Sequence, residues 1–97
     1  MEIRKLDISF HLTGCHSLKE KRHRLKGLRD RFGSDPHTAV VESGFQDSHQ
    51  QSVYTFVFVG QADFLDKTIH QLEAYLEIHV DAEVTGVEET LLHNGRP

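Results

Sequence analysis

Disulfides, membrane spans and secretion signals all require sequence features that this chain lacks. Its single cysteine, Cys15, cannot form an internal disulfide, which excludes a small disulfide-held scaffold and favours the reducing cytoplasm. No apolar run approaches the roughly 20 residues that a membrane-spanning helix requires. Residues Met1 to Lys5 contain no apolar segment of the kind found in signal peptides, so we expect no association with a membrane.

Several ligand-binding motifs are also missing. The sequence has no G-x-x-G clamp for single strands, no basic-glycine-aromatic motif for base stacking, no P-loop and no G-x-G-x-x-G turn. The loop after the first predicted strand carries no arginine, which excludes the phosphate loop of acylphosphatases. The eight histidines are scattered without the spacing of metal ligands. We therefore expect neither a metal nor a cofactor.

Charge is present in quantity, but it is unevenly distributed. The 97 residues include 27% charged and 37% hydrophobic side chains, as in a folded globular protein, with a net charge of −4. Residues 19–31 contain seven of the eleven basic side chains and only two acidic ones, so this segment carries +5 and the remainder −9. The segment, rather than the net charge, therefore indicates what the protein contacts.

The hydrophobic pattern predicts four strands and two helices. Alternating or β-branched and aromatic residues predict strands over residues 3–12, 38–45, 52–60 and 82–92. Ser17 and Glu20 form a capping box at the start of a helix that ends at Phe32, before Gly33. A second amphipathic helix is predicted over residues 62–78, with Asp63 or a neighbour as its cap.

The order β-α-β-β-α-β predicts an α+β fold of the ferredoxin-like type. Such a fold is a sandwich in which a four-stranded antiparallel sheet, with the first and third strands in the middle, carries both helices on one face. Residues 1–92 are expected to form this single domain, and residues 93–97 a polar C-terminal tail.

The third predicted strand has apolar side chains on both faces, although the helices can cover only one. Either the row Val53, Val57 and Val59 or the row Tyr54, Phe56 and Phe58 must then face away from them. This favours a homodimer, or ligand binding, through the open face or an adjacent edge. The alternative is that long side chains such as Lys5 and His11 shield the open face.

The first helix carries a stripe of basic residues beside its apolar face. Four cations at this spacing repel one another slightly, which a surface can tolerate when it contacts phosphates; the alternative is a solvated helix face in an otherwise acidic protein. The stripe consists of Lys19, Arg22, Lys26 and Arg29. Lys21 projects instead into the apolar arc, where we expect its stem to cross the core edge with the ammonium in solvent. The less favoured alternative is a specific partner such as Glu42 or Asp47.

The segment Ser17-Leu18-Lys19-Glu20-Lys21-Arg22 resembles the SLKEKR hallmark of the YlxP-like family of small bacterial proteins, a domain of unknown function. The likeness extends over about residues 3 to 92 and continues through Glu42, Gly44, Gln46, Asp47, Gln50 and residues 81–84. It implies a ferredoxin-like fold. Because family members are often encoded beside transcription-elongation and ribosome-maturation factors, it also implies a role linked to RNA or ribosomes. It implies no catalytic residues.

Two hypotheses about function follow, and neither is an enzyme. The first is an accessory factor that binds RNA or ribosomal subunits through the four basic residues of the stripe, assisted by Lys21 or Arg24. The second is a homodimeric interaction module or small-ligand-binding module. Its site is lined by Glu42, Gln46, Asp47 and Gln50. An enzyme is the least favoured interpretation, because Cys15 has no recognisable base nearby in the sequence and is more simply a small buried residue.

Overall fold

The computed structural model describes residues 1–95 and contains six elements in the predicted order. They are β1 (Glu2–His11), α1 (Leu18–Phe32), β2 (Thr38–Gly44), β3 (Gln51–Gly60), α2 (Ala62–His79) and β4 (Glu83–His93). The expected tail therefore begins one residue later than predicted, because β4 includes His93, and its last two residues lie outside the described part of the chain.

The four strands form one antiparallel sheet in the order β2-β3-β1-β4, which confirms the ferredoxin-like arrangement and the central position of β1 and β3. Directly opposite residues share a face, so the pairing of Ile8 with Tyr54 and of Leu6 with Phe56 places all four on one side. These side chains are buried beneath the two helices. The helix side of the sheet therefore carries the core.

The valine row of β3 faces away from the helices. Val53, Val57 and Val59 are half-buried there, and Lys5 lies directly opposite Val57. The centre of this face is polar, because Thr55 donates a hydrogen bond to Asp7 (2.6 Å). Side chains of the sheet itself thus cover part of the open face, as the shielding alternative predicts for Lys5.

Local hydrogen bonds fix where the helices begin. The serine half of the capping box is confirmed, since Ser17 Oγ accepts from the Glu20 N–H (3.0 Å). Glu20 Oε2 instead accepts from the N–H of His16 (3.0 Å), one residue before the cap. Asp63, the first choice as cap of α2, lies inside the first turn, and Gln61, two residues before it, occupies the cap position without a side-chain bond. Within the described residues, neither helix is both long and apolar enough to cross a membrane.

Candidate functional site

Lys21 is the most deeply buried charged residue near the basic stripe. Only 2% of its side chain is exposed, so the expectation that its ammonium reaches solvent is wrong. Its Nζ lies 2.9 Å from Glu42 Oε2 and donates to the carbonyl oxygens of Phe45 (2.8 Å) and Gln51 (3.1 Å). A third, longer bond reaches the carbonyl of Gln46 (3.4 Å). These partners lie in β2, in β3 and in the loop that joins them, so Lys21 ties α1 to the β2–β3 hairpin.

The buried ammonium also occupies the carboxylate of Glu42, which limits the binding of a ligand by that group. Glu42 Oε2 accepts a second bond from Ser52 Oγ (2.6 Å), so this oxygen is occupied by the protein itself. Lys21, for its part, has no free donor directed at solvent and does not belong to a phosphate-binding surface. The prediction that Lys21 contacts nucleic acid is therefore wrong. Its side chain is buried beneath the basic stripe, where it stabilises the contact between α1 and the hairpin.

The other predicted loop residues are not gathered into one site. Gln46 donates to the Glu42 carbonyl (3.3 Å), and the carbonyl of Gln50 accepts from the Leu12 N–H (2.8 Å). Asp47 is exposed in the loop. Only Glu42, of the four residues assigned to a small-ligand site, lines a cleft with residues of α1.

The guanidinium of Arg24 is also bound by other residues of the protein. Its guanidinium bonds to Glu20 Oε1 (3.0 Å) and to the carbonyl of Thr13 (2.9 Å), and it lies 3.6 Å from Asp81. The bonds from Arg24 and from the His16 N–H hold the pKa of Glu20 below its ordinary value, with the backbone bond as the larger cause. Arg24 therefore faces the α2 side of α1 and fixes the turn before the helix, which leaves it poorly placed to assist the stripe.

The four stripe residues line a groove between α1 and the β2–β3 hairpin, which we call the α1 groove. It has a volume of about 370 Å³, and Glu42 and Tyr54 also line it. The remaining lining residues are His23 and Asp30. The sequence therefore predicts correctly that the four cations share one surface. It does not predict the groove, because the groove forms only where α1 lies beside the edge strand β2.

Charge in the α1 groove is predominantly positive. Its four cations face two carboxylates, and Glu42 is already paired with Lys21. Lys26 lies 3.6 Å from Asp30 in an exposed pair. Within residues 1–95, Lys19, Arg22 and Arg29 make no ion pair with the protein, in contrast to Arg4, Arg24 and Lys21. Three cations are therefore available to an anionic ligand.

Tyr54 is the site residue that sequence analysis missed. Burial raises the pKa of Tyr54, Glu42 adds to the rise, and Arg29 and Arg22 oppose it. The phenol is therefore neutral in the physiological range and can donate a hydrogen bond. No sequence signal distinguishes Tyr54 from Phe56 and Phe58 in the same apolar row, because its position at the groove depends on how far α1 extends over β3.

Cys15 is a fully buried core residue, as the simpler interpretation predicts, and its sulfur lies 3.5 Å from the Ser17 carbonyl oxygen. Among the described residues, no three histidine, cysteine, aspartate or glutamate side chains come together in a group that could hold a metal ion.

A family model described as a protein of unknown function (DUF503) matches residues 3–89. The chain belongs to the DUF503 family. The match covers nearly the range expected from the resemblance, although it confirms neither the YlxP-like name nor the SLKEKR segment as a hallmark. It includes every residue that lines the α1 groove. Comparison with curated proteins finds no match. Because the DUF503 description assigns no activity, the function must be argued from the surface.

Proposed function

We propose that this protein is a non-enzymatic RNA-binding accessory factor of the cytoplasm that contacts phosphates through the α1 groove. The observation that carries the proposal is that three cations of the groove have no ion-pair partner among the described residues. Lys19, Arg22 and Arg29 have no ion-pair partner among the described residues and lie together in the groove, whereas Arg4, Lys5 and Arg24 are paired. Arg31 and Lys67 also make no ion pair among those residues, but they lie outside the groove. Unpaired cations beside one another repel, and a phosphate backbone relieves that repulsion while it releases counterions.

The dimensions of the α1 groove fit one strand of nucleic acid. Residues 19 and 29 are ten positions apart, which is about 15 Å along a helix axis and long enough for several successive phosphates. Tyr54 is buried too deeply to stack on a base, and in this proposal its neutral phenol donates to a phosphate oxygen. Contacts of this kind position a nucleic acid without reading its sequence, so the proposal includes weak sequence preference.

The choice of RNA or ribosomal subunits over other polyanions rests on the resemblance to YlxP-like proteins. Members of that family are often encoded beside ribosome-maturation factors, which supports an RNA ligand. The alternative small-ligand module has less support, because Glu42 and Gln46 already bond within the hairpin.

The test compares two doubly charge-reversed proteins with the unaltered one. The Arg22→Glu/Arg29→Glu variant removes two unpaired groove cations, whereas the matched control Lys5→Glu/Lys67→Glu makes the same change in net charge away from the groove. Affinity for total bacterial RNA and for isolated ribosomal subunits is measured for each, with circular dichroism as the check on folding. We expect the groove variant to lose at least about tenfold in affinity and the control to lose much less. Equal losses in both variants, or no binding by the unaltered protein, would contradict the proposal.

A further inference from the structure

The edge strand β4 carries apolar side chains that nothing in the described chain covers. Val84, Val87 and Leu91 pair with Phe10, Ile8 and Arg4 of β1, so they lie on the helix side of the sheet. The helices bury the side chains of β1 and β3 on this side of the sheet, but these three side chains of β4 remain 38%, 59% and 54% exposed. Core residues of β1 at the same level are buried. The apolar surface of the sheet therefore continues past the helices and ends in solvent.

The outer edge of β4 also has unpaired main-chain groups. β4 has 11 residues and pairs only with β1, because it is the last strand in the sheet order. Long edge strands of this kind accept a further strand from another chain unless they are covered or heavily charged. The β2 edge, at the other side of the sheet, is shorter and lies beside the α1 groove.

The charged side chains around β4 are mostly acidic, which determines the charge that a pairing strand should carry. Glu88 lies on the open face opposite Asp7, and Glu89 lies on the helix side opposite Leu6. Asp66 of α2 bonds to Arg4 (2.6 Å), so this face of α2 looks toward β4, and Glu73 and Glu77 follow on the same face at helical spacing. The cation on this side of the sheet, Arg4, is already paired with Glu2 and Asp66, and it lies 4.0 Å from Glu89.

We propose that β4 and the neighbouring face of α2 bind a basic, amphipathic β-strand segment of a partner protein. The segment pairs with the β4 edge through main-chain hydrogen bonds. Its apolar side chains pack on Val84, Val87 and Leu91 on the helix side of the sheet. Its basic side chains then project to the open face and meet Glu88, while Glu89 adds negative charge to the same edge. A second copy of this chain paired through β4 is disfavoured, because two-fold pairing brings two sets of these glutamates together.

This binding site is independent of the α1 groove. The strand order places β2 and β4 at opposite edges of the sheet, so RNA and the partner segment do not compete for the same surface.

The test uses three synthetic peptides of about seven residues, the length of an ordinary strand. The first alternates arginine with valine, the second has the same sequence with every amide N-methylated, and the third has glutamate in place of arginine. Binding to the intact protein is followed by fluorescence anisotropy and by chemical-shift changes of backbone amides. We expect only the first peptide to bind, with the largest shifts in β4. Equal binding of the N-methylated or acidic peptide, or no binding of the first, would overturn the proposal.

Two protein variants locate the contact. Glu88→Lys/Glu89→Lys is expected to weaken binding of the arginine–valine peptide by at least about tenfold, whereas the matched control Asp30→Lys/Asp47→Lys, on α1 and in the β2–β3 loop, keeps most of the affinity. Val87→Thr preserves strand propensity while it removes apolar contact, and it should also weaken binding. Equal loss in the control pair would overturn the assignment to β4. Light scattering at high concentration gives the remaining outcome: a dimer that the arginine–valine peptide dissociates would overturn the proposal and show that the occupant is a second copy.

Discussion

The ammonium of Lys21 has four partners, and removal of that charge affects all of them. Lys21→Met keeps the unbranched apolar stem but leaves the Glu42 carboxylate and three carbonyls of the hairpin without their donor. We expect a loss of about 3 kcal/mol in the free energy of unfolding, measured by urea denaturation, because breaking a buried pair leaves the other charge uncompensated. Lys21→Met/Glu42→Gln should recover part of the loss. A change near zero in the single variant would mean that the ammonium is hydrated.

The sequence predicts part of this arrangement. The position of Lys21 within the apolar arc of α1 is visible from helical spacing, and Glu42 is one of the two partners considered. The burial of the Lys21 ammonium cannot be predicted from the sequence, because three of its four partners are backbone carbonyls whose directions depend on the conformation of the hairpin loop.

Glu20 gives the start of α1 a dependence on pH. Its pKa is lowered from the ordinary 4.5 by the His16 N–H and then by Arg24. A lowered folded-state pKa contributes stability that is fully present above 4.5 and is lost as the pH falls through the folded value. Glu20→Gln keeps an oxygen acceptor without the charge, so its stability should fall less than that of the unaltered protein between pH 6 and pH 3, as measured by thermal unfolding. Identical pH profiles would show that the bond to His16 is absent in solution.

At the scale of elements, the β2–β3 hairpin combines an unfavourable backbone conformation with the Lys21 contact. Phe45 has φ of 57°, in the left-handed region, and its carbonyl accepts from Lys21. A residue with a Cβ is strained there, whereas glycine is not. We expect Phe45→Gly to be more stable than Phe45→Ala by about 1 kcal/mol in urea unfolding, the alanine variant serving as the control for loss of the ring. If alanine is the more stable, the loop adopts another conformation in solution.

Element order and the serine cap of α1 were predictable because each depends on residues that are close in the sequence, and the central position of β1 and β3 followed from the element order and the handedness of its crossovers. The face of β3 that the helices cover was not, because both rows of its side chains are apolar. The uncovered strip on β4 was not predictable either, because a register irregularity between Val84 and Gly86 breaks the alternation that would otherwise reveal the common face of Val84, Val87 and Leu91.

At the scale of the whole molecule, the uneven distribution of charge along the sequence places opposite charges at the two edges of the sheet. The basic segment 19–31 lies on the β2 side, where it lines the α1 groove, and carboxylates of α2 and β4 lie at the opposite edge. The net charge of −4 conceals this separation. A protein with such a distribution can contact a polyanion at one edge and a cationic partner at the other.

The dependence of RNA affinity on salt tests the central claim most directly. If the three unpaired groove cations each contact a phosphate of single-stranded RNA, the logarithm of the association constant should fall with the logarithm of salt concentration with a slope of about −2. The Arg22→Glu/Arg29→Glu variant should show a slope at least about one unit shallower, whereas Lys5→Glu/Lys67→Glu should keep the original value. A slope near zero in the unaltered protein, or an unchanged slope in the groove variant, would contradict phosphate binding by the α1 groove.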